Sequence, residues 1–181
     1  SIGKGAFRNC ASLSFIGSPP STLTYMGIDV FNGCSKLTFA NLTESSLSRV
    51  PMGTFYNCPS LMTVMLPASL TSIERRSFHK CSSLTSINIP STITDIGDGA
   101  FALCVSLRSV ALGGRVQNVG TSSLSSTNAK DRCESDVQKD YEYGPGYHTG
   151  AFYGCKSLKS VVIGDTTSNI STIGCRSFEG C

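Results

Sequence analysis

The sequence predicts a repeat solenoid of short parallel strands, on three observations: one triplet recurs at a nearly constant step, several apolar columns keep step with it, and a single unit is too short to bury its own apolar side. The triplet Phe-x-x-Cys-x-x-Leu occurs as Phe7-Cys10-Leu13, Phe31-Cys34-Leu37, Phe55-Cys58-Leu61, Phe78-Cys81-Leu84 and Phe101-Cys104-Leu107, at steps of 24, 24, 23 and 23 residues. It returns as Phe152-Cys155-Leu158 after a longer gap, and Phe178 and Cys181 begin a seventh. Five residues before the Phe stand Ile2, Met26, Val50, Ile73, Ile96 and Ile173, and three before those stand Leu23, Leu47, Leu70, Ile93, Val116 and Ile170. After the Leu come Ile16, Ala40, Val64, Ile87, Val110 and Val161, then Leu42, Leu66, Ile89, Leu112 and Ile163. Stacked units bury these columns against one another as ladders through one continuous core.

The unit from Cys81 to Phe101 shows the elements in order. Leu84, Ile87 and Ile89 end in an apolar–polar alternation, which predicts a half-buried strand. Pro90 ends it, having no N–H for further pairing. Thr94-Asp95-Ile96 predicts a second short strand, Gly97-Asp98-Gly99 a turn, and Ala100 to Cys104 a single helical turn. Equivalent strands of successive units should pair in parallel, ~4.8 Å apart.

One unit is interrupted. After Val119 a Phe is due about five residues on, but Phe152 is the next, so roughly 28 residues near 121–148 are inserted at one turn. The insert has no apolar periodicity. It begins rich in Ser and Thr, becomes charged, and ends with Tyr141, Tyr143, Tyr147 and His148. It reads as a solvated surface loop, which costs little entropy to close. Its tyrosines are candidate ligand-binding groups, since each joins contact area to a polar handle. The chain also starts and stops in mid-unit with no polar cap, so residues 1–181 read as one solenoid of about seven repeats, with a 23–26 residue period, from a longer protein.

The composition, 40% hydrophobic and 15% charged, is that of a globular chain. The net charge of +3 is spread without a basic run, so no nucleic-acid partner is expected. No apolar stretch approaches the ~18 residues of a membrane span, so no membrane insertion is expected of this segment. Seven of the nine cysteines occupy one repeat column, which predicts a ladder of buried thiols serving as small apolar fillers. Disulfides between neighbouring rungs are the rival, because the rung spacing lies within bridging distance, but side chains pointing the same way disfavour them. A zinc site has little footing: there is no Cys-x-x-Cys pair, and His79 and His148 are the only histidines. Cys133 and Cys175 stand outside the column. Nucleophile-elbow, Walker and His-Glu-x-x-His patterns are absent, so neither an enzyme nor a metal or cofactor is expected. Asn41-Leu42-Thr43 and Asn169-Ile170-Ser171 are glycosylation acceptor patterns.

On the longer strand of each unit, residues between core columns should face outward: Phe15 and Gly17, Phe39 and Asn41, Thr63 and Met65, Ser86 and Asn88, Ser109 and Ala111, Ser160 and Val162. Phe15, Phe39, Asn41, Met65 and Asn88 are the candidate ligand-binding residues of this face, with Phe15, Phe39 and Met65 forming an apolar patch on adjacent rungs.

Ile96-Gly97-Asp98-Gly99-Ala100-Phe101, followed by Cys104 and Leu107 and preceded by Ile89-Pro90, resembles the BspA-like leucine-rich repeats. The resemblance covers nearly the whole chain apart from residues 121–148. Glu74 and Pro51 depart from it, standing where the pattern has Gly. It implies a right-handed leucine-rich repeat superhelix, mostly β with short helical turns and irregular connections. It further implies a non-catalytic module that binds a protein or glycan ligand, on the cell surface or secreted, in recognition or adhesion. The alternative is an intracellular, cytoplasmic protein–protein interaction scaffold of the same fold, towards which the unpaired cysteine column leans.

Overall fold

The computed structural model describes residues 1–121, 150–164, 170–174 and 176–181. The inserted segment, including Tyr141, Tyr143, Tyr147, His148 and Cys133, lies outside the described residues, as do Asn169 and Cys175.

Successive rungs add parallel strands to two sides of the solenoid, in three sheets. The first sheet contains β1 (Phe15–Ile16), β2 (Phe39–Asn41) and β4 (Thr63–Met65) in that order. The second contains β3 (Arg49–Val50), β5 (Ser72–Ile73), β6 (Asp95–Gly97), β8 (Asn118–Thr121) and β10 (Thr172–Ile173), adjacent in that order. The first side resumes with β7 (Ser109–Leu112) paired to β9 (Ser160–Ile163). The register follows the repeat: Phe15 faces Phe39 and Phe39 faces Thr63 on one side, while Val50 faces Ile73 and Ile73 faces Ile96 on the other. An isolated bridge between Ile2 and Met26 continues the second column. The predicted strand at Leu84–Ile89 shrinks to one bridge, Ser86 to Ser109, which ties that rung to β7.

Where β6 meets β8, Ile96 pairs with Val119 but Gly97 pairs with Thr121, so Gly120 is left over as a bulge. Its φ of 72° is one that a residue without Cβ adopts freely. The insert leaves the rung directly after this bulge.

The stretch predicted as a helical turn is not helical. At most rungs the residues two places before and two places after the spine Phe take positive φ, as at Gly99 (62°) and Leu103 (61°), which breaks any run of right-handed residues. Amides then alternate in destination. Ala100, Ala102 and Cys104 donate three residues back, while Phe101 and Leu103 donate to Ala151 and Tyr153 of the next rung. The same alternation runs through Arg76–Cys81. A helix would have directed those bonds within the rung; here alternate amides pair rung to rung, so this edge of the solenoid is cross-linked like the sheets. No helix occurs among the described residues.

The core is the set of columns read from the sequence. Phe7, Phe31, Phe55, Phe78, Phe101, Phe152 and Phe178 form one stack, with neighbouring centroids 5.1–5.5 Å apart. Leu37, Leu61, Leu84 and Leu107 are fully buried beside it.

Candidate functional site

Strand alternation determines which side chains the first side offers. Val64, Val110 and Leu112 point into the core, so Thr63, Met65, Ser109 and Ala111 must point out, and they are exposed. Phe15 is 58% exposed and Met65 43%. Phe39 and Asn41 are half-buried, and Asn88, beyond the Ser86 bridge, is exposed. The face predicted from the alternation is therefore present, and all five candidate residues lie on it.

Two aromatic rings there form one surface. Phe15 stacks on Phe39 with centroids 5.4 Å apart and planes 6° from parallel. Gly17 makes room: a Cβ there would stand 3.3 Å from the Phe15 ring. Met65 is in register with Asn41, one strand further on. Asn41 itself is turned to a local task, its Oδ1 accepting from the Thr43 amide at 3.0 Å and the Thr43 hydroxyl at 2.8 Å. The Asn side chain thus closes an Asx turn at the end of β2.

The sequence reading missed a further column. The residue after each core Leu, before the strand begins, is Ser14, Thr38, Met62, Thr85, Arg108 or Lys159, and each is exposed. Met62, one rung after Thr38, is 55% exposed. Backbone bonds link these positions rung to rung, with Thr38 N–H to Ser14 O, Met62 to Thr38, Arg108 to Thr85 and Lys159 to Arg108. The signal was available, since all six follow the Leu column. Strict alternation had assigned them no face.

The cysteines form the predicted column, buried at Cys34, Cys58, Cys81, Cys104 and Cys155 but exposed at Cys10 and Cys181, with a bond that sequence could not reveal. Each Sγ donates to the Phe carbonyl of the preceding rung: Cys34 to Phe7, Cys58 to Phe31, Cys81 to Phe55, Cys104 to Phe78, Cys155 to Phe101 and Cys181 to Phe152, at 3.1–3.2 Å. All seven thiols of the column are free. Burial pushes Cys58 and Cys155 up to about 12, and Cys81 and Cys104 well above the usual thiol value. These thiols stay protonated and are poor nucleophiles and poor metal ligands. Among the described residues, no cluster of His, Cys, Asp and Glu is arranged to hold a metal.

His79 sits against the turn edge, its ring stacked on Tyr56 with centroids 5.1 Å apart. It is buried, and its Nδ1 has no hydrogen-bond partner. Desolvation, helped by the nearby Arg76 and Lys80 charges, lowers its pKa to about 4. Such a group is a neutral packing element at physiological pH.

A family model described as a BspA type leucine rich repeat region matches residues 1–130 and 147–181 in six copies. The unmatched residues, 131–146, fall inside the insert. No curated protein matches the chain. Among solved structures, a leucine-rich repeat protein from Eubacterium ventriosum is similar at 26% identity and a TM-score of 0.59, over 63% of this chain and 30% of that one. A leucine rich cell surface protein from Faecalibacterium prausnitzii is similar at 20% identity and a TM-score of 0.57, over 88% of this chain and 35% of that one. A leucine-rich repeat protein from Bacteroides ovatus is similar at 20% identity and a TM-score of 0.54, over 91% and 43%. The chain thus spans less than half the length of each of these three structures.

Proposed function

We propose, from the premise that the chain belongs to the BspA-type leucine-rich repeat family, that it is a non-catalytic binding module whose ligand lies on the outward face of the first sheet. The observation that carries this reading is the stacked Phe15–Phe39 pair, exposed at Phe15 and half-buried at Phe39, with exposed Met62 and Met65 on the next rung. A contiguous apolar patch on a soluble surface loses free energy to water and regains it when a partner covers it. Thr63, Ser86, Asn88 and Ser109 continue the face with polar groups that can orient a partner. A protein or glycan ligand fits this mixture. Tyr141, Tyr143 and Tyr147 of the insert lie outside the described residues; they stay candidates on residue type alone.

A role at the cell surface, in recognition or adhesion, is supported by the shared fold of the leucine rich cell surface protein from Faecalibacterium prausnitzii. A second reading, a scaffold in a reducing compartment, is favoured by the seven free thiols of the column.

The test is a binding comparison on peptide and glycan arrays. The double substitution Phe39→Ser and Met65→Ser should leave the circular dichroism spectrum nearly unchanged and lower the melting temperature without unfolding the chain at assay temperature. It should weaken whatever the parent chain binds by at least about tenfold, since an interface anchor is worth more than ~1 kcal/mol. Equal signals from parent and variant would remove this face from consideration.

A further inference from the structure

We propose that the partner on this face is an extended acidic–apolar polypeptide segment. Its apolar side chains rest on Phe15, Phe39, Met62 and Met65, and its carboxylates lie over Arg108 and Lys159. The inference rests on the reading of the first sheet as the binding face and adds the chemistry of what it binds.

The distribution of charge is the starting point. Around the turns and the second sheet, four cations meet acids of the same chain, Arg8 with Asp29 at 3.9 Å, Arg49 with Glu74 at 3.1 Å, Arg75 with Asp98 at 3.5 Å, and Arg176 with Glu179 at 3.3 Å, while Lys36, Lys80, Arg115 and Lys156 meet none among the described residues. The first side, made of the β1-β2-β4 sheet and the separate β7-β9 sheet, differs. Its three outward columns, starting at Ser14, Phe15 and Gly17, contain no carboxylate on any rung. Arg108 and Lys159 stand exposed on adjacent rungs, tied by the Lys159 N–H to Arg108 O bond at 2.8 Å. Neither is paired with an acid among the described residues. Two like charges one rung apart repel, and an anion bridging them removes the repulsion while adding attraction to both. This is charge complementarity waiting for a negative partner.

The spacing specifies the partner further. The Phe39 and Arg108 rungs are three steps apart, ~14 Å at ~4.8 Å per step, which about four residues of extended chain would cover. Thr85, Ser86 and Ser109 lie between, small and exposed, so a backbone can approach and find hydroxyl partners. A polysaccharide fits less well. The apolar end presents two phenyl rings and two thioethers, and of its polar neighbours Asn41 already commits its carbonyl oxygen to Thr43. Sugar hydroxyls would be left unpaired there.

The experiment is a display selection of random twelve-residue peptides on the immobilised 181-residue chain, with heparin binding measured in parallel. We expect enriched peptides to carry an aromatic or aliphatic pair with Asp or Glu about four residues away. Their affinity should fall severalfold between 50 and 300 mM salt, as exposed ion pairs are screened. Arg108→Glu with Lys159→Glu should weaken them at least tenfold, and Phe39→Ser with Met65→Ser should do likewise. Enriched peptides that need Phe39 but show no acidic preference would overturn the partner chemistry and leave the binding face standing. Peptides indifferent to both pairs of substitutions would overturn both readings. Enrichment of nothing, or retention of heparin alone, would overturn the polypeptide assignment.

Discussion

At the scale of single residues, the solenoid makes ordinary side chains behave unusually by removing them from water. The Cys column is the clearest instance. A small thiol fits between rungs, and its weak S–H finds the preceding Phe carbonyl, which also accepts the Cys amide of its own rung, as with Cys34 N–H and Phe31 O. His79 shows the opposite side of burial. Its pKa of about 4 in the folded chain lies below the unfolded value near 6.5. Between those values the unfolded state binds the extra proton, so stability from the neutral ring is fully present above pH 6.5 and falls as pH drops towards 4. The loss should reach a few kcal/mol at most, by the conversion of ~1.4 kcal/mol per pKa unit. Urea midpoints at pH 7.0 and 4.5 test this. His79→Phe, which retains an aromatic ring for Tyr56 to meet, should lose clearly less stability on acidification than the parent. Equal losses would place the acid sensitivity elsewhere.

At the scale of the element, the turn after the second strand governs how closely rungs approach. Gly97 does not need positive φ; it needs the absence of a side chain. A Cβ there would lie 2.6 Å from the Arg75 amide nitrogen and 2.9 Å from the Glu74 carbonyl carbon of the neighbouring rung. Backbone atoms cannot swing aside as a flexible side chain can, so Gly97→Ala should push the rungs apart and cost about 1–3 kcal/mol. Chemical denaturation measures it, and a cost below ~0.5 kcal/mol would show that the turn yields without strain. The sequence conveyed these elements unevenly, for physical reasons. Leu84, Ile87 and Ile89 gave the burial of their column correctly, because burial depends on periodicity alone. The same residues gave too long a strand, because a ladder depends on both neighbours pairing. The helical turn at Ala100–Cys104 failed for a related reason. Leu103 at positive φ is a choice that no local propensity announces, and it is supported by bonds to a rung 50 residues away, across the insert. On the candidate face, Phe15, Phe39 and Met65 were legible from alternation. Arg108 and Lys159 were not, since they lie just before the strand, where alternation gives no direction.

At the scale of the whole molecule, stability passes from rung to rung, because each rung meets only its neighbours. The phenylalanine stack makes this measurable. Phe78 is fully buried and stacks on Phe55 at 5.3 Å and on Phe101 at 5.1 Å. Phe7 is 41% exposed and stacks on Phe31 at 5.4 Å. Phe78→Ala should therefore open a cavity between two rungs and cost about 3–5 kcal/mol. Phe7→Ala removes a ring already half in water and should cost less than about 2 kcal/mol. The two should also differ in how the chain unfolds. A weak joint in the middle of a one-dimensional array uncouples the halves, so Phe78→Ala should broaden the urea transition and lower its apparent slope, while Phe7→Ala should only shift it. Equal costs with unchanged slopes would mean that the columns share load globally, as in a compact domain, and that the rung-by-rung description of this chain's energetics is wrong.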